Sequence, residues 1–330
     1  MKAVLVRTPG GPEVLDYVDV DPPQVGDDDV LIRSETFGVG QPDVLIRSGL
    51  YKWMPPLPAN PGNDAAGRIV AVGKNVKHFT VGQKVLLTAR DLPRRGGCYA
   101  ELIAVSADVP YALPENVDLE SAVCLANYQV ARALLHEASG KHPAKSVLVV
   151  GAAGGVGSAL VQLAKLAGMT VIGTVSSEEK ATFARAMGAD AIIYYRQEDV
   201  IARTRELTGG RGVDLILDHV CGPNFADYLG ALGPWGTIVS YNAFSGLPEK
   251  NLMGEMRKYL DICPAVHCFS FHIYDHDREG RRALMHKVIA HLAAGEIKPA
   301  IAARFKLAEV RKAHAYLESG AALGKVVMTV

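Results

Sequence analysis

Residues 146–180, SVLVVGAAGGVGSALVQLAKLAGMTVIGTVSSEEK, decide the fold of this chain. The run SVLVV is apolar and β-branched without polar alternation, which is typical of a parallel strand that is covered on both faces. A glycine-rich turn follows, then a helix with apolar periodicity over about 156–167, and then a second buried strand over 170–175. This order predicts one repeat of a parallel α/β sheet with helices on its faces.

The turn between the first strand and the helix carries a nucleotide-binding pattern. Ala152, Gly154 and Gly157 form A-x-G-x-x-G, the dinucleotide fingerprint with its first glycine replaced by alanine. Gly154 would let the backbone approach a pyrophosphate, and Gly157 would let the helix pack closely on the strand. We therefore predict a Rossmann-type doubly wound sheet with a dinucleotide at the helix N-terminus, while a βαβ unit that binds nothing is the alternative.

The end of the second strand predicts which dinucleotide binds. An NAD site would have Asp or Glu there to hold the ribose 2′-hydroxyl, but this chain has Val175, followed by Ser176 and, a turn later, Lys180. Hydroxyls and an ammonium suit a 2′-phosphate, so we expect NADPH rather than NADH. Ser176 with Glu179 also reads as a helix capping box, and both roles can hold at once, although Glu178 and Glu179 count against a phosphate.

Composition restricts the class of protein. The 330 residues are 49% hydrophobic, enough for two domains, and 35 basic residues balance 35 acidic ones, so no nucleic-acid or membrane partner is indicated. The N-terminus lacks signal character and no apolar run approaches ~20 residues, so we expect a cytoplasmic protein. The odd number of scattered cysteines predicts reduced, mostly buried thiols at these positions: Cys98, Cys124, Cys221, Cys263 and Cys268.

The chain changes character along its length. Up to Asp118 it consists of short β-rich segments between Gly and Pro, which predicts a barrel or sandwich with one helical interruption over 42–48. A helical segment over 119–137 leads into the alternating strands and helices of the parallel sheet. A long helix over 281–294 precedes a closing strand, and we expect this tail to return to the first domain and complete its sheet.

Four motifs, GAAGGVG, GAD-x-I-I-x-Y, PGNDAAGRIVAVG and the terminal GKVV, give the chain a recognisable family pattern. It resembles the zinc-free quinone oxidoreductase (zeta-crystallin-like) branch of the medium-chain dehydrogenase/reductase superfamily over nearly its whole length. The resemblance implies a GroES-like β-barrel catalytic domain over 1–122 and 265–330 and a Rossmann NADPH-binding domain over 123–264, with the active site in the cleft between them. It also implies a homodimer, for which the apolar strand that we expect over 265–273 is a candidate edge-to-edge interface.

The resemblance also implies cofactor contacts, carried over position by position. Those at the phosphates and the adenosine side are Ala153, Gly154, Gly155, Val156, Ser176, Lys180, Tyr195 and Val220. Those on the nicotinamide side are Gln129, Tyr241, Asn242, Ala243, Phe269, Ser270, Phe271 and, as a weaker candidate, Lys325. Tyr195 has simple packing at the sheet edge as its alternative explanation.

No metal is expected. Zinc-dependent relatives carry ligands where this chain has Gly40, Asn63 and Leu125, and zinc prefers thiolate and imidazole to an amide. The structural four-cysteine lobe is also missing. A second candidate cluster matches no standard zinc spacing, and we interpret it as buried thiols with partly exposed histidines: Cys263, His267, Cys268, His272 and His276.

Without a metal, the nicotinamide must deliver hydride to a small electrophile, and the resemblance implies a quinone or an α,β-unsaturated carbonyl. Tyr51 matches the proton-donating tyrosine of related enoyl-thioester reductases, although lining the pocket beside Trp53 explains it equally well. Asp43 is a weak catalytic candidate, since capping a helix explains it first. Gly40 replaces an asparagine of many quinone oxidoreductases, which widens a pocket that also includes Asn63.

Two alternatives to a quinone or enone reductase stay open. One is an enoyl-thioester reductase, and the other is a non-catalytic NADPH-binding or structural protein. A short-chain dehydrogenase is disfavoured because the chain contains no Y-x-x-x-K.

Overall fold

The computed structural model describes residues 1–140 and 142–330. These residues divide into two compact units, the first made of Met1–Ala126 and Met285–Val330 and the second of Asn127–Leu284. Each unit has its own sheet and its own apolar core.

The strands of the described residues are numbered in chain order. They are β1 (Lys2–Val6), β2 (Leu15–Asp19), β3 (Asp29–Val39), β4 (Asp64–Val72), β5 (Lys84–Thr88), β6 (Leu102–Ser106), β7 (Tyr111–Ala112), β8 (Ser146–Val149), β9 (Thr170–Val175), β10 (Ala191–Tyr194), β11 (Val213–Asp218), β12 (Leu232–Ser240), β13 (Ala265–Cys268), β14 (Ile301–Lys306) and β15 (Lys325–Thr329).

The α-helices are α1 (Gln41–Ser48), α2 (Leu119–Ala122), α3 (Leu125–His136), α4 (Gly155–Leu166), α5 (Glu178–Ala186), α6 (Val200–Leu207), α7 (Leu252–Met256), α8 (Arg278–Ala293) and α9 (Val310–Glu318). Short 3-10 helices span Pro12–Val14, Phe225–Ala231, Arg257–Ile262, Phe271–Asp275 and Leu307–Glu309. Among the described residues, no helix is both long enough and apolar enough to cross a membrane.

The first unit contains a sheet in the order β14-β15-β3-β4-β5-β7, with β6 also paired to β3, and a separate pair β1-β2. β15 pairs antiparallel with β3, bringing Val326 opposite Val39. The chain's end therefore completes the sheet that its beginning starts, as the sequence predicted. Phe37, Tyr99 and Met328 lie in the buried core of this unit.

The second unit contains a parallel sheet in the order β10-β9-β8-β11-β12-β13. The order reverses direction beside β8, because β9 lies on one side of β8 and β11 on the other. Such a reversal opens a crevice at the carboxyl ends of the strands, where dinucleotides bind. The doubly wound parallel sheet that the sequence predicted is confirmed.

The expected strand over 265–273 is wrong in length. β13 ends at Cys268, where its pairing with β12 ends, and Phe271–Asp275 forms a 3-10 helix. Because β13 belongs to the parallel sheet, the second unit runs to Leu284 and the tail begins at residue 285 instead of the expected 265. The other boundary, after Ala126, lies four residues beyond the expected position after residue 122.

Candidate cofactor and substrate site

The glycine-rich turn connects β8 to α4 in the second unit. A Cβ on Gly157 would lie 2.2 Å from the carbonyl oxygen of Gly151, so only glycine fits where the helix approaches the strand. A Cβ on Gly154 would find its nearest atom, the same oxygen, at 3.7 Å, so the backbone at the start of α4 is open. Ala152 fits because it faces Gly173 of β9, which has no side chain. A Cβ on Gly173 would lie only 2.7 Å from the Cβ of Ala152.

Helix α5 begins one residue later than the sequence suggested. Its N-cap is Ser177, whose hydroxyl accepts from the backbone N–H of Lys180 at 3.4 Å. The expected capping box of Ser176 with Glu179 is therefore wrong. Ser176, directly after β9, is half-buried and precedes the cap.

Tyr195 follows β10 and lies beside the end of β9. Its backbone N–H donates to Val175 O at 3.2 Å, and its side chain is 47% exposed. The guanidinium of Arg196 lies 5.9 Å from the Tyr195 ring centroid. Sequence reasoning missed Arg196, although a basic residue directly after a predicted strand end was a usable signal.

One of the two acidic residues that count against a phosphate, Glu178, has local hydrogen-bond partners. Glu178 accepts hydrogen bonds from the Tyr194 hydroxyl and from Arg185, at 3.1 Å for Arg185 Nη1. These two donors hold the pKa of Glu178 below its usual value. Arg185, in the last turn of α5, therefore partly cancels the negative charge of Glu178 at the start of the helix.

The residues predicted on the nicotinamide side follow the ends of β11, β12 and β13. Register places Asp218 beside Ser240 and Ser240 beside Cys268, so the three strand ends are adjacent. Phe269 donates its N–H to Ser240 O at 2.8 Å and is buried, while Ser270 is exposed and caps the following 3-10 helix. The sheet brings four more residues of this side to its carboxyl edge, which are Tyr241, Asn242, Ala243 and Phe271. Val220, predicted on the adenosine side, follows the end of β11 at the same edge.

Two buried polar atoms near the turn lack hydrogen-bond partners among the described residues. They are His219 Nδ1 and Tyr241 Oη, in rings whose centroids are 5.7 Å apart. A Cβ on Gly151 would lie 2.4 Å from the His219 ring, so the imidazole packs directly on the turn. Burial lowers the pKa of His219. Unpaired buried polar atoms are costly, and these two fit a site that takes up a polar ligand.

Gln129 lies on α3 of the same unit and is buried. Its Nε2 donates to Arg281 O at 2.7 Å. One end of the amide is therefore held by the protein, which fixes the orientation of the side chain.

A cavity of about 500 Å³ lies at the edge of the parallel sheet and shares Phe269 and Ser270 with the predicted nicotinamide side. The other residues that line it are Glu137, His267, Cys268, Ile273, Tyr274 and Asp277.

In the first unit, Asp43 is completely buried at the start of α1. Its Oδ2 accepts from Gly40 N at 2.8 Å, and its Oδ1 accepts from Asn63 Nδ2 at 2.6 Å and from Gly62 N at 3.2 Å. The predicted capping role is therefore present. Burial raises the pKa of Asp43 to about 6, against the opposing effect of these hydrogen bonds.

Lys325 and Asp64 form a buried ion pair near this carboxyl group. Lys325 Nζ lies 2.8 Å from Asp64 Oδ2, and both side chains are only 5% exposed. Burial alone would lower the pKa of Lys325, but the charge and hydrogen bond of Asp64 outweigh it and raise the pKa. Lys325, predicted as a weak cofactor contact, is held by this pair.

The first unit does not offer a zinc site at the matched positions. Gly40 and Leu125 have no donor atoms in their side chains, and the Asn63 amide is bound to Asp43. Asp64 is paired with an ammonium, which repels a divalent cation. A catalytic zinc does not fit these residues. Over residues 1–140 and 142–330, no group of three or more His, Cys, Asp or Glu side chains is arranged to hold a metal ion. The expected burial of the thiols in the second candidate cluster is wrong, because Cys263 and Cys268 are exposed.

Tyr51 and Trp53 follow the end of α1. Tyr51 is 8% exposed and Trp53 is 41% exposed, with ring centroids 5.8 Å apart. The pair lies in the same unit as Asp43 and Asn63, the other residues predicted for the substrate pocket.

Comparisons with known proteins agree with this geometry. Residues 26–115 match the alcohol dehydrogenase GroES-like domain family, and residues 155–277 match the zinc-binding dehydrogenase family. The chain is 33% identical to a quinone oxidoreductase of Pseudomonas aeruginosa, covering 97% of this chain and 96% of that protein. It is 32% identical to the human quinone oxidoreductase, covering 99% of this chain and 97% of that protein. The solved structure of Escherichia coli quinone oxidoreductase complexed with NADPH superposes with a TM-score of 0.87 at 30% identity, covering all of both chains.

Proposed function

Because the chain belongs to the quinone oxidoreductases of the medium-chain dehydrogenase/reductase family, we propose that it is an NADPH-dependent, zinc-independent reductase of quinones or α,β-unsaturated carbonyls. The observation that carries this proposal is the turn before α4, which is open at Gly154 and closed to any side chain at Gly157. An open turn at the start of a long helix offers backbone N–H groups and a positive dipole end to a pyrophosphate.

The choice of NADPH is supported by the end of β9. The residue directly after Val175 is Ser176 and not the carboxylate that would hold a 2′-hydroxyl. Ser176, Lys180 and Arg196 supply a hydroxyl and two positive charges instead. The Escherichia coli relative was solved with the same cofactor. In the proposed complex the pyrophosphate and adenosine side is held by Ala153, Gly154, Gly155, Val156, Ser176, Lys180, Tyr195 and Val220.

The nicotinamide side is proposed to lie at the ends of β12 and β13. The contacts there would come from Gln129, Tyr241, Asn242, Ala243, Phe269, Ser270 and Phe271. When bound, the nicotinamide supplies a hydride from C4 to an electrophilic carbon. The chain itself has to orient the acceptor, exclude water and stabilise the oxygen that gains charge.

Zinc independence is supported by the donor set of the first unit. A site with Gly40, Leu125 and an engaged Asn63 has no thiolate or imidazole for the metal, and Lys325 adds a positive charge beside it. Elemental analysis of purified, active protein is the direct test. Activity that depends on stoichiometric zinc would contradict the proposal.

Tyr51 is the proposed proton donor to the acceptor. A phenol is protonated at neutral pH and can donate to an oxygen that gains negative charge. Because Tyr51 also matches the donor of enoyl-thioester reductases, a thioester acceptor is the second candidate substrate. Asp43 is the weaker candidate, since its oxygens are already engaged by Gly40, Gly62 and Asn63.

The function is tested by measuring NADPH oxidation with 1,4-benzoquinone, with 2-hexenal and with an enoyl thioester. We expect turnover with at least one of the first two acceptors. Quenching of protein fluorescence by NADPH without oxidation by any acceptor would instead identify a non-catalytic NADPH-binding protein.

We also propose a homodimer, in which the exposed edge of β13 pairs with the same strand of a second copy. β13 is the last strand of the parallel sheet and pairs on one side with β12. Unpaired strand edges favour addition of another strand. Gel filtration that gives the mass of a monomer would contradict this part of the proposal.

A further inference from the structure

The missing side chain of Gly40 leaves a space next to two buried polar groups of the first unit. A Cβ on Gly40 would lie 3.5 Å from Lys325 Nζ and 3.7 Å from Asp43 Oδ2, which are ordinary contact distances. Gly40 has an extended backbone, with φ −143° and ψ 170°, so its conformation does not require glycine. The space can therefore hold a small group in contact with the Lys325 ammonium.

Lys325 is held firmly in place. Its Nζ donates to Asp64 Oδ2 at 2.8 Å, and its Cε packs so closely on Gly38 that a Cβ there would lie 2.6 Å away. An ammonium has three N–H donors, and the bond to Asp64 uses one of them. A buried ammonium is stabilised by further acceptors, so an oxygen entering the space beside Gly40 would meet a fixed positive donor.

We propose that the carbonyl oxygen of the acceptor binds in the space beside Gly40 and that Lys325 is a catalytic residue that stabilises the negative charge developing on this oxygen. This inference depends on the proposed reduction. When hydride adds to the β-carbon of an unsaturated carbonyl, the C=C electron pair shifts to form an enolate, whose charge lies largely on oxygen. Tyr51, the proposed donor, then protonates the enolate and regains its proton from water. The enol becomes the saturated carbonyl, and the nicotinamide nucleotide is oxidised by two electrons.

The physical basis is preorganisation. A donor that is already desolvated and fixed does not have to be reoriented as charge develops, and removing one such donor typically lowers kcat by about 10²–10³-fold. Lys325 meets both conditions, because it is 5% exposed and anchored by Asp64. Gly40 itself is only half-buried, so the space beside it supplies the third condition, which is access for the oxygen.

The first test fills the space. Gly40→Ala should lower kcat/KM for 2-hexenal at least tenfold while the Kd for NADPH, measured by fluorescence quenching, changes less than twofold. Gly254→Ala on α7 is the matched control, because its added methyl also finds its nearest atom at 3.5 Å. It should leave both quantities unchanged. An unaltered kcat/KM in Gly40→Ala would overturn the proposed position of the oxygen.

The second test removes the charge. Lys325→Met should lower kcat by about 10²-fold with little change in the Kd for NADPH. Because this change leaves the Asp64 carboxylate buried without its partner, the double variant D64N/K325M is made alongside it and should show the same loss. Wild-type kcat in the folded double variant would overturn the proposal. A loss confined to NADPH affinity would overturn it too, and would make Lys325 a cofactor contact instead.

The third test does not depend on turnover. 4-Nitrophenol resembles the enolate, and its ionisation is visible by absorbance in the presence of NADP⁺. The wild-type protein should bind the phenolate and lower its apparent pKa, whereas Gly40→Ala and D64N/K325M should not. Phenolate binding that is unaffected by these changes would overturn the role of Lys325. If phenolate binding depends on Lys325 but no acceptor is reduced, the oxyanion site stands and the proposed reductase function fails.

Discussion

The buried histidine of α9 gives a quantitative prediction about acid stability. His314 is completely buried, and neither of its ring nitrogens has a hydrogen-bond partner among the described residues. Its ring packs edge-on against Tyr99, with centroids 6.1 Å apart. Burial, together with the positive charge of Arg47, lowers the pKa of His314 to about 4. The folded protein therefore holds this imidazole neutral.

The sign of the effect follows from proton linkage. Between about pH 6.5 and pH 4 the unfolded chain binds a proton at His314 and the folded chain does not, so acid favours unfolding. The stabilising contribution is complete above the unfolded pKa and is lost as the pH falls. With these pKa values, the contribution of His314 to the free energy of unfolding decreases by about 2.5 kcal/mol between roughly pH 7.5 and pH 4.5.

Asp43 acts in the opposite direction over the same range. Its pKa is raised to about 6 in the folded state, so the folded chain takes up its proton first and acid favours folding. Its stabilising contribution is therefore present at low pH and is lost as the pH rises through about 6. The protonation of Asp43 changes the free energy of unfolding by about 2 kcal/mol over the same pH range, in the opposite direction. The pH dependence of wild-type stability alone would therefore hide the effect of His314.

The experiment compares His314→Leu with the wild type. The free energy of unfolding in urea is followed by the fluorescence of Trp53, which lies in the same unit as His314, in a Trp235→Phe background. The variant should be at least as stable as the parent at pH 7.5, because it removes two unpaired buried polar atoms. The difference in free energy of unfolding between the variant and the parent should then grow by about 2.5 kcal/mol at pH 4.5. His276→Gln, an exposed histidine, is the control. A stability difference that does not change with pH would refute the reasoning.

Three further outcomes are expected. Lys180→Ala should weaken NADPH binding at least tenfold more than NADH binding in fluorescence titrations, and Arg196→Ala should show the same preference to a smaller degree. Equal losses of affinity for the two cofactors would exclude a role at the 2′-phosphate. Tyr51→Phe should lower kcat about 10²-fold without changing the Kd for NADPH, because general acid catalysis contributes about 10²–10⁴-fold. An unchanged kcat would remove Tyr51 from the mechanism. Gly157→Ala should abolish NADPH binding and lower the melting temperature, since its Cβ would lie 2.2 Å from a backbone oxygen. Gly154→Ala should fold normally and weaken only the binding of NADPH. Similar melting temperatures for the two variants would contradict the close approach at Gly157.

The parts of the site that the sequence predicted correctly depend on local geometry. The requirement for glycine at Gly157 follows from the spacing of a strand, a turn and a helix, and the structure confirms it by the distance to the Gly151 carbonyl. The capping role of Asp43 likewise depends on a residue three positions away. Both contacts lie within one supersecondary unit, so periodicity and spacing are enough to find them.

The errors arose where neighbouring elements set the limits. The segment 265–273 is apolar enough to be read as one strand, but β13 can pair only as far as β12 extends, and β12 ends at Ser240. The cap of α5 moved from Ser176 to Ser177 because β9 continues to Val175 and the helix starts after the next two residues. Pairing length is a property of two strands, and neither strand's sequence contains it alone.

The sequence by itself determined the doubly wound sheet, the dinucleotide turn and the basic, hydroxyl-bearing end of β9, because each is encoded in contiguous residues with a fixed period or spacing. Its resemblance to a known family predicted the GroES-like unit, which is built from both ends of the chain. Only the tertiary structure decided that Lys325 is paired with Asp64, 261 residues away, beside the space left by Gly40. It also decided that His219 lies against the turn and that His314 is buried with no hydrogen-bond partner among the described residues. The electrostatic character of these groups depends on desolvation and on charges brought close by folding, which no local pattern encodes.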